Sequence, residues 1–150
     1  MTAPLPVPTD RPRLVDIAFW CFIAGAVIMI VGGLMAFSAT YDSARAAIDT
    51  TVSDEQVRSY LTIYRVSGMI SVAAAAALAF LAGRARRGDT RFRLAAVALA
   101  FAIVVVEGLL AVGLGVVQPL VLLSLLPILV GAVLIVRPAA RAWYESEGRV

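Results

Sequence analysis

The residues of this chain that could do chemistry are few, and the most informative is Glu107, set in the uncharged stretch Val104-Val-Val-Glu107-Gly108. A carboxyl group in hydrocarbon costs about 2.5–3.5 kcal/mol on insertion scales, so such a group faces protein or water. Three uses compete for it. Glu107 can carry a proton for a transported substrate, as the glutamate of small four-helix multidrug exporters does. It can pair with Arg65, which stands just before the uncharged run from Val66 to Gly83. Or it can stay protonated and bond a neighbour, fixing how helices pack. Helical rise puts Arg65 and Glu107 within about 6 Å in depth on adjacent antiparallel helices. Side chains tilt toward their own helix N-terminus, which draws these two apart. The exporters carry their glutamate in the first helix beside an aromatic-lined pocket. Here the first apolar run has no acid at its middle, and Phe101 is the one aromatic neighbour of Glu107 on its helix. Packing is the preferred role over transport.

Asp16 stands one turn inside the first helix, between Arg13 and Trp20. There it favours the helix dipole and can be met by nearby arginines. Arg84, Arg86, Arg87, Arg91 and Arg93 cluster around a single Asp89. They read as an anchor that sets topology, with anionic lipid head groups as candidate contacts. The chain has no histidine and one cysteine, Cys21. Imidazole ligation, histidine acid–base catalysis, an intrachain disulfide and a Cys-x-x-Cys pair are therefore excluded. No cofactor, metal site or enzyme class is expected.

These residues must be positioned by helices in a bilayer. Of the 150 residues, 61% are hydrophobic and 15% charged, and the mean hydropathy is +0.92. A soluble domain is nearer half apolar and one quarter charged. The stretch from Ile17 to Tyr41 has no charge, and Leu94 to Val136 is interrupted only by Glu107. About 20 apolar residues cross the hydrocarbon layer, so the long stretch holds two crossings, with its turn in Gly113–Pro119. The pattern predicts an all-α polytopic membrane protein of four transmembrane helices, about 14–38, 54–83, 94–113 and 119–136. The first is too long for a signal-peptide core. Ser53 with Asp54, Glu55 and Gln56 has the form of a capping box, so the second helix starts before the membrane. Pro127 is expected to kink the fourth. Residues 1–13, rich in proline, read as a flexible tail, 14–144 as one domain and 145–150 as a second tail.

Arginine placement predicts orientation. Arg11, Arg13, the five of the middle loop, Arg137, Arg141 and Arg149 make ten on one side, against Arg45 and Arg58 on the other. Both termini should be cytoplasmic in the plasma membrane. The basic excess, entirely arginine, reports topology, and no nucleic-acid partner is expected. Lipid gives helices no hydrophobic reason to associate, so small residues permit close approach. Candidate stripes are Ala75, Ala79 and Gly83; Ala96 with Ala100; Ala98 with Ala102; and Gly32, Ala36 and Thr40.

The segment Arg11-Pro12-Arg13-Leu-Val15-Asp16-Ile-Ala18-Phe19-Trp20, followed by Gly32-Gly33, resembles the opening of small multi-span membrane proteins of actinobacteria. One such group is the four-helix association factor of respiratory supercomplexes, which join cytochrome bcc to a terminal oxidase. Length and four-span layout are also similar. The resemblance implies a cofactor-free accessory subunit of a respiratory complex, packed against other integral membrane subunits. The alternatives are a small proton-coupled transporter using Glu107 and an accessory factor in envelope lipid transport.

Overall fold

The computed structural model describes residues 11–147, and the expected tail residues 1–10 and 148–150 lie outside the described residues. Six helices follow in order: α1 (Arg13–Phe37), α2 (Tyr41–Ala47), α3 (Asp54–Ala85), α4 (Thr90–Gly113), α5 (Pro119–Val136) and α6 (Pro138–Glu147). No strand occurs among the described residues. α1, α3, α4 and α5 are long and apolar enough to cross a membrane. Their exposed side chains are apolar too, Trp20, Met35, Phe80, Phe101, Leu109 and Leu126 among them, as suits a surface facing lipid.

Local chemistry explains the boundaries. Ser53 Oγ accepts from the Gln56 N–H at 3.3 Å, and Gln56 Oε1 accepts from the Ser53 N–H at 3.1 Å. This is the expected capping box, and it starts α3 at Asp54. α4 begins four residues earlier than the uncharged run suggests. Asp89 Oδ1 accepts from the N–H groups of Arg91 at 2.9 Å and Phe92 at 3.4 Å. Arg91 and Arg93 are therefore helical, and the turn between α3 and α4 is short, with Gly88 at φ +93°. α4 ends at Gly113, and Gly115 at φ +64° turns the chain. Pro127 sits inside an unbroken α5. Two short helices flank the long ones. α2 is started by Thr40, whose Oγ1 accepts from the Ser43 N–H at 3.3 Å. α6 follows α5 directly and carries Trp143 and Tyr144.

The buried positions of the long helices alternate in steps of three and four. On α1 they include Val15, Ala18, Phe22, Gly25, Met29, Gly32 and Ala36. On α3 they include Gly68, Ser71, Ala75, Leu78, Ala82 and Ala85, on α4 Ala96, Ala100, Ile103 and Glu107, and on α5 Val121, Ser124, Ile128, Gly131 and Ile135. A mean spacing of 3.5 is the signature of left-handed packing. α1 is the hub, lying against both α3 and α5, while α4 closes the ring between those two. Glycine permits both contacts of α1. A Cβ on Gly32 would meet Leu120 Cβ at 2.8 Å and Val121 N at 3.0 Å, and one on Gly33 would meet the Gly68 carbonyl oxygen at 2.5 Å. The expected stripes are only partly used. Ala75, Ala96 and Ala100 are buried, whereas Ala98 and Ala102 are exposed, and Gly83 has nothing near it.

Candidate functional site

Three groups of polar side chains result, one at each end of the bundle and one inside. The inner group begins at Glu107, 6% exposed. Its Oε1 lies 2.7 Å from Ser71 Oγ, which also lies 2.9 Å from the Ser67 carbonyl oxygen. One turn of α3 further out, Ser67 Oγ accepts from Gln118 Nε2 at 2.7 Å, and the same amide reaches the Tyr64 carbonyl oxygen at 3.3 Å. Glu107, Ser71, Ser67 and Gln118 thus tie α4, α3 and the start of α5 together. Ser67, Ser71 and Gln118 were not legible as partners. Serines three or four residues apart on a small-residue helix are common, and Gln118 reads as a turn residue until the turn is folded back on α3. A crevice of about 120 Å³ opens beside Glu107, walled by Ile70, Ala74, Leu99 and Val106.

Arg65 is not in this network. Its Nε and Nη2 both donate to the Ala39 carbonyl oxygen, Nε at 2.8 Å. That carbonyl lies just beyond the C-terminus of α1, where a cation is favoured. No arginine forms an ion pair with Glu107 among the described residues. The two ionisable residues of the apolar zone go opposite ways, each satisfied separately.

At the arginine-rich end, Asp16 Oδ1 accepts from Arg86 Nε at 2.8 Å and lies 3.1 Å from Arg11 Nε. Arg86 also stands 4.6 Å over the Phe19 ring. The five clustered arginines do not form one patch. Arg84 stacks on Phe80 and Phe92, at 5.7 and 5.6 Å, while Arg87 and Arg91 are exposed. Arg93 lies 5.0 Å over the Tyr144 ring, and its Nε and Nη1 are buried without a hydrogen-bond acceptor. The ring face offsets part of that cost. Replacing Asp16 with asparagine should lower stability by about 1 kcal/mol or less, because the carboxylate and both arginines are about one third exposed. Unfolding measured in detergent should show the loss shrinking as salt rises. A salt-independent loss would mean that Asp16 acts by packing.

At the opposite end, α2 and the loop to Ser53 arch over the projecting start of α3. Arg45 clamps the arch: Nη1 donates to the Val52 carbonyl oxygen at 2.8 Å, and Nη2 to those of Asp49 at 2.6 Å and Ile48 at 3.3 Å. Asp49 Oδ1 accepts from the Thr51 N–H at 2.8 Å; that bond holds its carboxyl below the usual range. The Asp54 carboxylate near Tyr41 raises its phenol above the ordinary value. No residue of α2 is buried, so the arch leaves a cavity of about 680 Å³ beneath it. Its walls include Ala47, Ile48, Val52 and Leu61, with Gln56 and the stacked rings of Tyr60 and Tyr64, 6.0 Å apart. Sequence reading treats 41–59 as a polar loop, and the apolar residues hidden in it are what line this space.

Comparison with protein-family models, curated proteins and solved structures finds no match to this chain.

Proposed function

We propose that this chain is a non-catalytic accessory subunit of a larger membrane assembly. In this reading its four long helices span the plasma membrane, with both termini cytoplasmic. The one-sidedness of the inner polar network carries the reading. From Glu107 hydrogen bonds lead only toward the end capped by α2, through Ser71 and Ser67 to Gln118. Toward the arginine-rich end the buried faces are Ala75, Leu78 and Ala82 on α3, Ala96 and Ala100 on α4, Phe22 and Met29 on α1, and Ile128 and Ile135 on α5. The buried hydroxyl there, Ser124, turns back on its own helix and donates to the Val121 carbonyl oxygen at 2.6 Å. A carrier must expose its site to each side in turn, and this packed apolar layer offers no polar path. Hydrogen-bond arithmetic supports a packing role. Ser71 has one proton and two oxygens within reach, so a neutral Glu107 donating to Ser71 satisfies all three groups.

The proposed assembly is a respiratory one, cytochrome bcc with its terminal oxidase, on the resemblance of the N-terminal segment. Purification of the tagged chain in a gentle detergent should recover it with larger integral membrane subunits, respiratory ones foremost. Recovery only as a free monomer or homodimer would sink the proposal. In liposomes under a potassium diffusion potential, the wild type and Glu107→Gln should both pass protons no faster than empty vesicles. A proton flux that Glu107→Gln abolishes would favour the transporter reading instead. The cavity under α2 favours a second accessory role, in handling lipid.

A further inference from the structure

We infer that the cavity under α2 is a binding site for the hydrocarbon chain of an amphiphile whose head group is uncharged or cationic. The inference goes beyond the accessory-subunit proposal and does not rest on it.

Shape and place come first. Small-molecule sites typically enclose 300–1,000 Å³, with mostly apolar walls and a few polar groups, and this cavity is about 680 Å³. Its α3 wall is Gln56, Val57, Tyr60, Leu61 and Tyr64, one face of the helix over two turns, or ~12 Å of length. The floor, formed by Ala39, Tyr64 and Val117, lies where α1 has ended and α4 passes into α5. That is where the apolar zone gives way to the polar hairpin. An occupant can therefore enter from the lipid level and remain in contact with apolar side chains as it rises. Stacked Tyr60 and Tyr64 suit that boundary, with an apolar ring and a polar tip.

The arch is built to stay open. Left to itself, a short helix over an apolar helix face would settle onto it, since burial of apolar surface is favourable by about 25 cal/mol per Å². Instead Arg45 spends its guanidinium on three carbonyls of the arch, and Thr40 and Ser43 cap α2 reciprocally. Ile48 and Val52 are held half-buried on the rim of the space. Both ends of the described chain lie at the other end of the bundle, so the occupant is not one of the described segments.

Charge selects the head group. The arch and the start of α3 carry Asp42, Asp49, Asp54 and Glu55 against Arg45 and Arg58. Arg45 is committed to the arch and lies 3.6 Å from Asp54, and Arg58 lies 5.6 Å over the Tyr41 ring. An anionic head group would meet excess negative charge with both cations engaged.

Photo-crosslinking tests this directly. The full chain in nanodiscs is irradiated with a diazirine-tagged long-chain alcohol, the matching amine and the matching carboxylate, and adducts are mapped by peptide mass spectrometry. The alcohol and amine should label the 43–64 segment above the lipid-facing positions of α4, and the carboxylate should do so less by a factor of about 3. Ala47→Trp, which fills the cavity from α2, should reduce labelling there by roughly tenfold while labelling around Phe101 persists. Ala46→Trp, on the water side of α2, should change nothing. Should Ala47→Trp disturb the fold, read by loss of helical circular dichroism, Ala44→Phe, from the same helix and also on the cavity wall, supplies the block instead. Even labelling of all lipid-facing segments, labelling that survives both blocks, or a carboxylate as effective as the alcohol would each overturn the inference.

Discussion

Gly33→Val and Gly68→Val should each destabilise the bundle by about 3 kcal/mol or more, the upper end of what overpacking costs. A Cβ on Gly33 would stand 2.5 Å from the Gly68 carbonyl oxygen, and one on Gly68 would stand 2.6 Å from the Gly33 carbonyl oxygen. Each glycine thus leans on the backbone of the other helix, and backbone cannot rotate away as a side chain can. Gly25 is confined too: a Cβ there would meet Ile128 Cγ1 at 2.5 Å and the Ser124 carbonyl oxygen at 3.1 Å. A β-branched side chain is stiff at χ1, so alanine there should also be costly. Gly83 and Gly108 have nothing within 4 Å, and alanine at either should be neutral or slightly stabilising, as helix propensity favours it. Unfolding free energies in mixed micelles order the series. If Gly33→Ala lay within about 0.5 kcal/mol of Gly108→Ala, the crossing would not be the tight contact described.

The same crossing sets the inner polar network. It fixes the rotation of α3 about its axis, and Ser67 and Ser71 flank Gly68 on that helix. Pushing α1 and α3 apart should therefore loosen Ser71–Glu107 and Ser67–Gln118 together, although neither pair contains a mutated residue. A stripe of small residues read from sequence does not reveal this. Ala79 and Gly83 share the spacing of Ala75 but not its burial, whereas Gly68, between Ser67 and Met69, lies outside that stripe and is buried. Which small residue meets another helix depends on azimuth, which spacing along one helix does not specify.

Azimuth also separates what was legible from what was not. The span of α5 and the capping box of α3 follow from local chemistry, and both stand as the sequence reads. The start of α4 does not, because a cluster of arginines reads as loop while the Asp89 cap places Arg91 and Arg93 in the helix. Arg91 sits exposed on the first turn of the helix, and Arg93 lays its guanidinium over the Tyr144 ring. Depth places Arg65 and Glu107 at one level, and side-chain tilt parts them. Only the fold shows where each then goes, to the Ala39 carbonyl and to Ser71. α2 is seven residues long, too short for a periodic signal. α6 is hidden behind Pro138, which marks a first turn as readily as a break.

The largest effect at the arginine-rich end should come from Tyr144, whose side chain is fully buried. Its hydroxyl donates to the Ala85 carbonyl oxygen at 2.9 Å, its ring lies 5.0 Å beneath Arg93, and Trp143 meets it edge-on at 4.9 Å. It is the peg that holds α6 against the turn between α3 and α4. Tyr144→Ala should cost about 3–5 kcal/mol, as for other buried aromatics, and leave Arg93 without its ring. Tyr144→Phe should cost only about 1 kcal/mol, because the Ala85 carbonyl oxygen also accepts from the Gly88 N–H at 3.0 Å. Burial pushes the phenol up to about 12, against the opposing charges of Arg93 and Arg11. The folded state therefore favours the neutral phenol over an unfolded value near 10. That contribution is complete below pH 10 and is lost as pH climbs toward 12; acid leaves it untouched. Trp143 reports on it once Trp20, 60% exposed, is replaced by phenylalanine. Its emission should hold steady to about pH 10 and change above it, and Tyr144→Phe should remove the change. A transition centred at or below the ordinary tyrosine range would mean that the phenol is open to water and that α6 is not pegged through Tyr144.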